Sequence, residues 1–287
     1  MAGIDRASFK AQLDSSETLF APLCLDALTA RLCEEIGFAC GYLSGGALGY
    51  STGVSEALLT LTEIAEQTAA ITRRSNLPLI ADAGVGFGDP VHAVRAVWDL
   101  ERAGAVAIEI EDQVAPKRVS HHRGIEHLVP AGEMVQKIEA AVSARQDPDL
   151  LLIARTSAVR HEGFDAAITR LNAYADAGAD LLLLAPIEEE DFARAPKLLS
   201  RPVVAMAPLD ARSRAEWSGL GYSIVLDPYS GQSIAYAATR RAYSGQFAGT
   251  GSGEELAELR RVYASLGGAA GLEDLYDVER RTTEPGT

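Results

Sequence analysis

LPLIADAGVGFGDP (residues 77–90), AVRAVWDLERAGA (93–105) and VAIEIEDQVAPKRVSHHRG (106–124) form an apolar run, an amphipathic segment and a second apolar run that breaks into a polar loop. Short aliphatic and β-branched runs bounded by turn residues read as strands buried on both faces. The segment between them is long enough for a right-handed crossover, so the two strands are expected to be parallel neighbours. The first ends at Asp82 and the second at Glu111 and Asp112, ahead of a loop carrying Lys117, Arg118, His121, His122 and Arg123. Acids closing buried strands are costly unless paired or coordinated, which points to a metal or acid–base site. A pair of salt-bridged strand ends is the alternative.

Outward from this stretch the same unit repeats. Apolar strand candidates lie in TLFAPLCLDA, ACGYLSGG, LLLIART, DLLLLAP, PVVAMAP and YSIVLDP, alternating with amphipathic helices. In the helix DALTARLCEEIGF the apolar spacing falls on Leu28, Leu32 and Ile36, with a stop at Gly37. The Gly-containing GALGYSTGVSEA reads as a loop. Eight such strands in units of 25–40 residues predict an α/β (β/α)8 TIM barrel over residues 1–248. A C-terminal helical extension is expected over 249–287: EELAELRRVYASLG, with a stripe at Leu256, Leu259 and Val262, follows a Gly249–Gly253 link and precedes a tail, GLEDLYDVERR. It has no place in a minimal barrel and is expected to cap it or pack on another subunit.

The composition fits a soluble globular α/β chain: 287 residues, 47% hydrophobic, 26 glycines. A formal charge of −14 argues against nucleic acid or anionic membrane as partner, though not against a small anionic substrate. Three cysteines without ligand spacing and no signal-like N-terminal segment lead to the expectation of a reducing cytoplasm, with Cys24, Cys33 and Cys40 as packing residues.

Active sites of such barrels lie at the C-terminal ends of the strands. Those ends carry Ser44-Gly45-Gly46 after the second strand, Asp82 after the third, Glu111 and Asp112 after the fourth and Arg155 after the fifth. A glycine-rich turn offers amides to an anion, arginine forks onto a carboxylate, and Asp82 with Glu111 suits a hard divalent cation.

At these residues the chain resembles the isocitrate lyase/phosphoenolpyruvate mutase superfamily, over nearly the whole barrel. APLCLDALTARLCEEIGF is similar to its PGAxDALSA segment, YLSGG to its substrate-carboxylate turn and ADAGVGFGDP to its VDADxGFG metal segment. IEIEDQVAPKR is similar to its IEDQxxPK motif, and PDLLLIARTSAVRHEGFDAAI to its DFxIxARTDAxxxxGxDxAI segment. The resemblance implies a barrel, Mg²⁺ with Mn²⁺ as substitute, and a small 2-oxo or 2-hydroxy acid substrate. It also implies a homotetramer, a dimer of dimers with exchanged C-terminal helices. Carried over, Ser44, Gly45, Gly46 and Tyr42 would face the substrate, Arg155 would clamp its carboxylate, and Asp82 and Glu111 would hold the metal. Residues 117–124 would be a gating loop in which Lys117, His121 and His122, with Glu111, are the candidate catalytic groups.

Departures are equally specific. The lyase loop Cys is Val119 here, the second Asp of the metal segment is Gly84, and the strand-six Glu and strand-seven Asn are Ala185 and Met206. The acid of the loop after strand two is Ser55 or, shifted by one, Glu56. His121 or His122 could supply the missing acid or base, since imidazole titrates near neutrality; both could equally be surface residues. His92 and His127 read as surface residues, His161 as a residue near the site mouth at most. Glu188 to Asp191 read as an acidic helix start. Three functions fit. One is a lyase breaking a carbon–carbon bond next to a pyruvate-like unit, by retro-aldol cleavage or decarboxylation. The others are phosphorus–carbon chemistry of the phosphonopyruvate type, and a non-catalytic small-acid binder.

Overall fold

The computed structural model describes residues 5–15, 17–250 and 253–284, the side chains of 253–256 excepted. Eight strands, β1 Leu19–Ala21, β2 Gly41–Leu43, β3 Leu79–Asp82, β4 Ala107–Glu111, β5 Leu151–Thr156, β6 Leu181–Leu184, β7 Val203–Met206 and β8 Tyr222–Leu226, pair in parallel in the order β1-β8-β7-β6-β5-β4-β3-β2. A parallel bridge between Leu23 and Tyr42 closes the ring, with Cys24 N donating to Tyr42 O at 2.8 Å. The expected (β/α)8 barrel is therefore present. The crossover helix Pro90–Arg102 joins β3 to β4, as the opening stretch requires. No helix among the described residues is long and apolar enough to cross a membrane.

Alternation along the strands sorts the chain into two cores. Ile108, Ile110, Leu152 and Ala154 face the helices, while Ala107, Leu151, Ile153, Leu181, Leu183 and Ile224 fill the barrel interior. Phe9, from the N-terminal helix Arg6–Gln12, is fully buried among the interior residues. The inward phase of β3, β4 and β5 continues past this apolar layer into Asp82, Glu109 with Glu111, and Arg155. The register sets Asp82 beside Glu109 and Glu111 beside Arg155. Acid and base thus meet at the C-terminal mouth because they share the phase of the buried aliphatics.

Four sequence readings change. GALGYSTGVSEA is not a loop: Gly45–Thr52 is a helix, N-capped by Ser44 and ended by Gly53 at φ +78°. Its glycines and small residues hide the helical period, which the cap restores. Leu28, Leu32 and Ile36, taken as the inward stripe of the helix Ala27–Ile36, are exposed; Ala30 and Cys33 face the core instead. GLEDLYDVERR is largely the helix Leu272–Arg281, and residues 119–123 of the polar loop form a short 3-10 helix. The chain divides into two compact units, Met1–Ser230 and Gly231–Thr287. The helix Ser230–Phe247 therefore belongs almost wholly to the second unit, with Gly253–Ala270 and Leu272–Arg281. The expected link Gly249–Gly253 and the side chain of Leu256 lie partly or wholly outside the described residues; Leu259 and Val262 are exposed.

Gly41, the first residue of β2, leaves no room for a side chain. A Cβ there would stand 2.5 Å from Cys24 Sγ and 2.9 Å from Leu77 Cδ2. Gly41→Ala is expected to cost about 1–3 kcal/mol, as overpacked cores do, and to lower the urea midpoint without changing the slope. An unchanged midpoint would show that β2 has slack.

Candidate active site

Asp82 is the centre of the barrel mouth. It is buried, and Oδ2 accepts from Gly45 N at 2.9 Å while Oδ1 accepts from Gly84 N at 2.8 Å. The close approach demands glycine: a Cβ on Gly45 would lie 3.0 Å from Asp82 Oδ2, and one on Gly46 2.8 Å from Glu56 Oε2. Ser44 caps the helix through its own Oγ, which accepts from Ala47 N at 3.3 Å. The Ser44–Gly46 segment is thus a helix N-terminus already engaged with Asp82, and Gly46 lies close to Glu56.

Tyr42 is fully buried and reaches two carboxylates: its hydroxyl lies 3.0 Å from Glu109 Oε2 and 3.4 Å from Asp82 Oδ2. Arg155 is held between strand neighbours, with Nη1 donating to Glu109 Oε1 at 2.8 Å and Nε lying 3.5 Å from Glu111 Oε2. Lys117 bridges Glu56 and Glu111. Glu56 also faces His121, whose Nε2 lies 3.1 Å from Glu56 Oε1 and whose Nδ1 lies 2.7 Å from the Arg118 carbonyl. Both ring nitrogens face acceptors, the arrangement that suits an imidazolium. Glu56, not Ser55, is the acid in the loop after β2.

Two sets of pKa shifts follow. Burial, then the neighbouring Glu56, raises the pKa of Asp82. Burial and Asp82 push Glu109 up to about 7. For Glu111, burial acts upward but the charges of Lys117 and Arg155 outweigh it and the pKa falls. Glu56 is held well below the carboxylate range, since the His121 hydrogen bond and Lys117 overcome its burial. Burial opposes the charged form of His121 as well, yet Glu56 and the Arg118 carbonyl raise its pKa. Four acids against Lys117, Arg155 and His121 leave a site short of positive charge.

That shortage bears on a divalent cation. Among the described residues no three His, Cys, Asp or Glu side chains converge to hold an ion by themselves. Mg²⁺, however, takes one or two carboxylates and keeps several waters. Asp82 and Glu111, buried and flanked by further acid, are a donor set of that kind.

Of the residues singled out from sequence, Tyr42, Ser44, Gly45, Gly46, Asp82, Glu111, Lys117, His121 and Arg155 are brought together. His122 points elsewhere: Nε2 lies 2.8 Å from Ser55 Oγ and Nδ1 3.3 Å from the Tyr50 hydroxyl. Val119, at the lyase-Cys position, is exposed. His161 pairs with Glu126 and His92 with Asp89, both away from these acids. Asp112 is structural, fully buried and tied to Thr156, Tyr174 and Arg170. Sequence reading missed Glu109, although the i, i+2 spacing of IEIE places it on the face of Glu111. A cavity of about 160 Å³ opens among these groups, lined by Gly45, Glu56, Asp82 and Lys117 on its polar side and by Leu59 and Phe87 on its apolar side.

Residues 9–246 match the phosphoenolpyruvate phosphomutase family. The chain is 43% identical to a probable 2-methylisocitrate lyase of Corynebacterium glutamicum over 192 residues, 66% of this chain and 63% of that protein. It is 37% identical to the 2,3-dimethylmalate lyase of Eubacterium barkeri over 77% of this chain and 79% of that one. Among solved structures, phosphonopyruvate hydrolase in complex with oxalate and Mg²⁺ superposes with a TM-score of 0.84 at 29% identity, covering 97% of this chain and 99% of that one.

Lys117→Met removes the cation shared by Glu56 and Glu111 and is expected to cost about 3 kcal/mol near neutral pH, as broken buried pairs do. Lys117 helps to depress both pKa values, so its contribution is present above the unfolded value of about 4.3 and is lost as pH falls through the folded values. Asp82 and Glu109 slope the opposite way, so the difference between variant and wild type is what is read. Urea midpoints should differ most near pH 7, and the gap should narrow only below about pH 4, as the depressed carboxylates protonate; a gap that widens on acidification would show that Lys117 does not hold these carboxylates.

Proposed function

This chain belongs to the phosphoenolpyruvate phosphomutase family, and on that premise we propose that it is a carbon–carbon lyase for a small 2-oxo or 2-hydroxy di- or tricarboxylate. Asp82, Glu56 and Lys117 line one cavity, and Glu111, Arg155 and His121 are joined to these groups and to one another by ion pairs; that arrangement carries this reading. It is supported by the relatives named 2-methylisocitrate lyase and 2,3-dimethylmalate lyase.

In the proposed reaction a carbon–carbon bond beside a carboxylate breaks and its electron pair passes to the retained fragment as an enolate. The other fragment leaves as carbon dioxide from an oxo acid or, from a hydroxy acid, as a carbonyl compound whose hydroxyl proton is given up to solvent. Asp82 and Glu111 would hold Mg²⁺, which supplies positive charge for the developing oxyanion; the neighbour solved with oxalate and Mg²⁺ supports that choice of ion. Arg155 is fixed by Glu109 and Glu111 so that its charge faces the substrate carboxylate at low reorganisation cost. The N-terminus of the helix Gly45–Thr52, whose Gly45 amide bonds Asp82, adds its positive dipole end beside the same site. The enolate carbon then needs a proton, and the exposed Val119 cannot give one. His121 is the source: it is doubly hydrogen-bonded as imidazolium, and it passes the proton by way of Glu56, which lines the cavity. His122, turned to Ser55 and Tyr50, anchors the loop.

The experiment is a panel of oxaloacetate, 2-methylisocitrate, 2,3-dimethylmalate and phosphonopyruvate with Mg²⁺, followed for pyruvate, glyoxylate, oxalate, carbon dioxide and phosphate. Carbon–carbon cleavage of one of the first three is expected. Turnover of phosphonopyruvate alone would replace this reading with phosphorus–carbon chemistry, and no turnover with retained oxalate binding would make the chain a small-acid binder. On the substrate found, His121→Gln should lose about 10²–10⁴-fold in kcat, and His122→Gln little. Wild-type kcat should fall as pH rises through the raised His121 pKa, above the ordinary imidazole value of about 6.5; an unaltered profile in His121→Gln would reject the imidazole.

The reading extends to assembly. The helix Ser230–Phe247 leaves Ile234, Tyr236, Tyr243 and Phe247 exposed, and Leu28, Leu32 and Ile36 form an exposed stripe on the first unit. We take both as subunit surfaces of a homotetramer, a dimer of dimers in which residues 249–287, together with the helix before them, are exchanged between paired chains. Buried, unpaired thiols at Cys24, Cys33 and Cys40 accord with a reducing, cytoplasmic setting. Light scattering at micromolar concentration should give a tetramer, and truncation after Phe247 a smaller, less stable species; a monomeric full-length chain would contradict the exchange.

A further inference from the structure

One wall of the cavity is held by a lysine outside it. Lys137, on the helix Ala131–Ala144, is 1% exposed, and its Nζ donates to the Val85 carbonyl at 2.8 Å. Among the described residues no carboxylate lies within ion-pair distance of it. Burial lowers its pKa even though Glu133, Asp112, Glu111 and Asp89 act the other way. Burying an ammonium on one carbonyl is unfavourable, and a methionine would fill the same space without that cost. The value of the side chain therefore lies in the carbonyl it holds.

That carbonyl sits in a strained turn. Gly84, Gly86 and Phe87 all adopt left-handed φ, +53°, +76° and +63°, and Phe87 is not a glycine. For the glycines that conformation is free of strain, whereas Phe87 is strained there and persists only where its surroundings over-determine it. The Lys137 stem runs alongside this turn: a Cβ built on Gly86 would come within 3.5 Å of Lys137 Cδ. The turn faces the cavity through Val85 and Phe87, and Gly84 N fixes Asp82 Oδ1.

We propose that Lys137 is a positioning residue: through the Val85 carbonyl its ammonium pins the turn 83–87, and thereby sets the Asp82 carboxylate and the Phe87 side of the cavity. It touches no substrate itself. The link to Asp82 rests on the acid-site reading given above, whereas the pinning of the turn does not, so the test has two arms.

The first arm is hydrogen exchange by mass spectrometry on wild type and Lys137→Met. Exchange across residues 83–88 should quicken at least about tenfold, while β6, Leu181–Leu184, keeps its wild-type protection. The second is calorimetry of oxalate binding in excess Mg²⁺, which should weaken by about tenfold or more, as a displaced positioning group implies. Unchanged exchange in 83–88 would overturn the pinning. Faster exchange with oxalate affinity within about twofold of wild type would overturn the positioning role. Wild type that binds no oxalate would count against the acid-site reading, and the exchange arm would still decide whether Lys137 holds the turn. Should Lys137→Met fail to fold, Lys137→Gln, which keeps a polar tip on a shorter reach, gives the same two readouts.

Discussion

Four carboxylates, Glu56, Asp82, Glu109 and Glu111, meet at one end of a barrel whose interior is otherwise aliphatic. Carboxylates in such a place are expensive, and much of the local structure offsets that expense. Two glycine amides bond Asp82, a tyrosine hydroxyl lies between Asp82 and Glu109, an arginine lies between Glu109 and Glu111, and a lysine bridges Glu111 and Glu56. The compensation is uneven. Glu111 and Glu56 have their pKa values pulled down by cations, whereas Asp82 and Glu109 have theirs pushed up by burial, Asp82 further by Glu56 and Glu109 further by Asp82. A pocket with its acids split this way offers negative charge and a proton reservoir side by side, which is the combination that enolate chemistry needs.

The same arrangement explains why the loop 117–124 lies where it does. Lys117 and His121 are both drawn to Glu56, so the loop is anchored by ion pairs on its inner side and by His122, Ser55 and Tyr50 on its outer side. The anchors come from the chain between the helix Gly45–Thr52 and the 3-10 turn Glu56–Leu58. The excursions after β2 and β4, the two strands that flank β3, thus close on one another beside Asp82. With Val119 facing solvent, the inward-pointing chemistry of the loop has passed to residues two positions on either side of it.

How far this was legible in the sequence follows from which physical signals are local. The barrel was legible, because eight aliphatic runs separated by amphipathic helices admit few other closures. Asp82, Glu111 and Arg155 were legible because each terminates such a run. Glu109 carries the same alternation but sits inside the run, where it was read as part of an apolar strand; its partners, Tyr42 and Arg155, come from strands 67 and 46 residues away in the chain. The helix Gly45–Thr52 was missed because glycine and alanine write no periodic pattern. Leu28, Leu32 and Ile36 kept a correct helical period yet face outward, since periodicity marks an apolar face and not what covers it. The choice between Ser55 and Glu56 could not be made without the fold, as only the direction of the chain leaving the helix decides which side chain turns toward Lys117.

A last consequence concerns where specificity resides. The polar half of the cavity is made of groups locked to one another, so its geometry is set by strand register and offers little latitude. The apolar half is made of Leu59 and Phe87, on connections between strands and helices, which can vary without disturbing the barrel. A family built on one acid constellation can therefore change its substrate through the turn after β3 and the segment after β2. The turn 83–87 is where the two halves meet: Glu111 N bonds the Gly84 carbonyl from the polar side, and Lys137, from a helix outside the cavity, bonds the carbonyl of Val85.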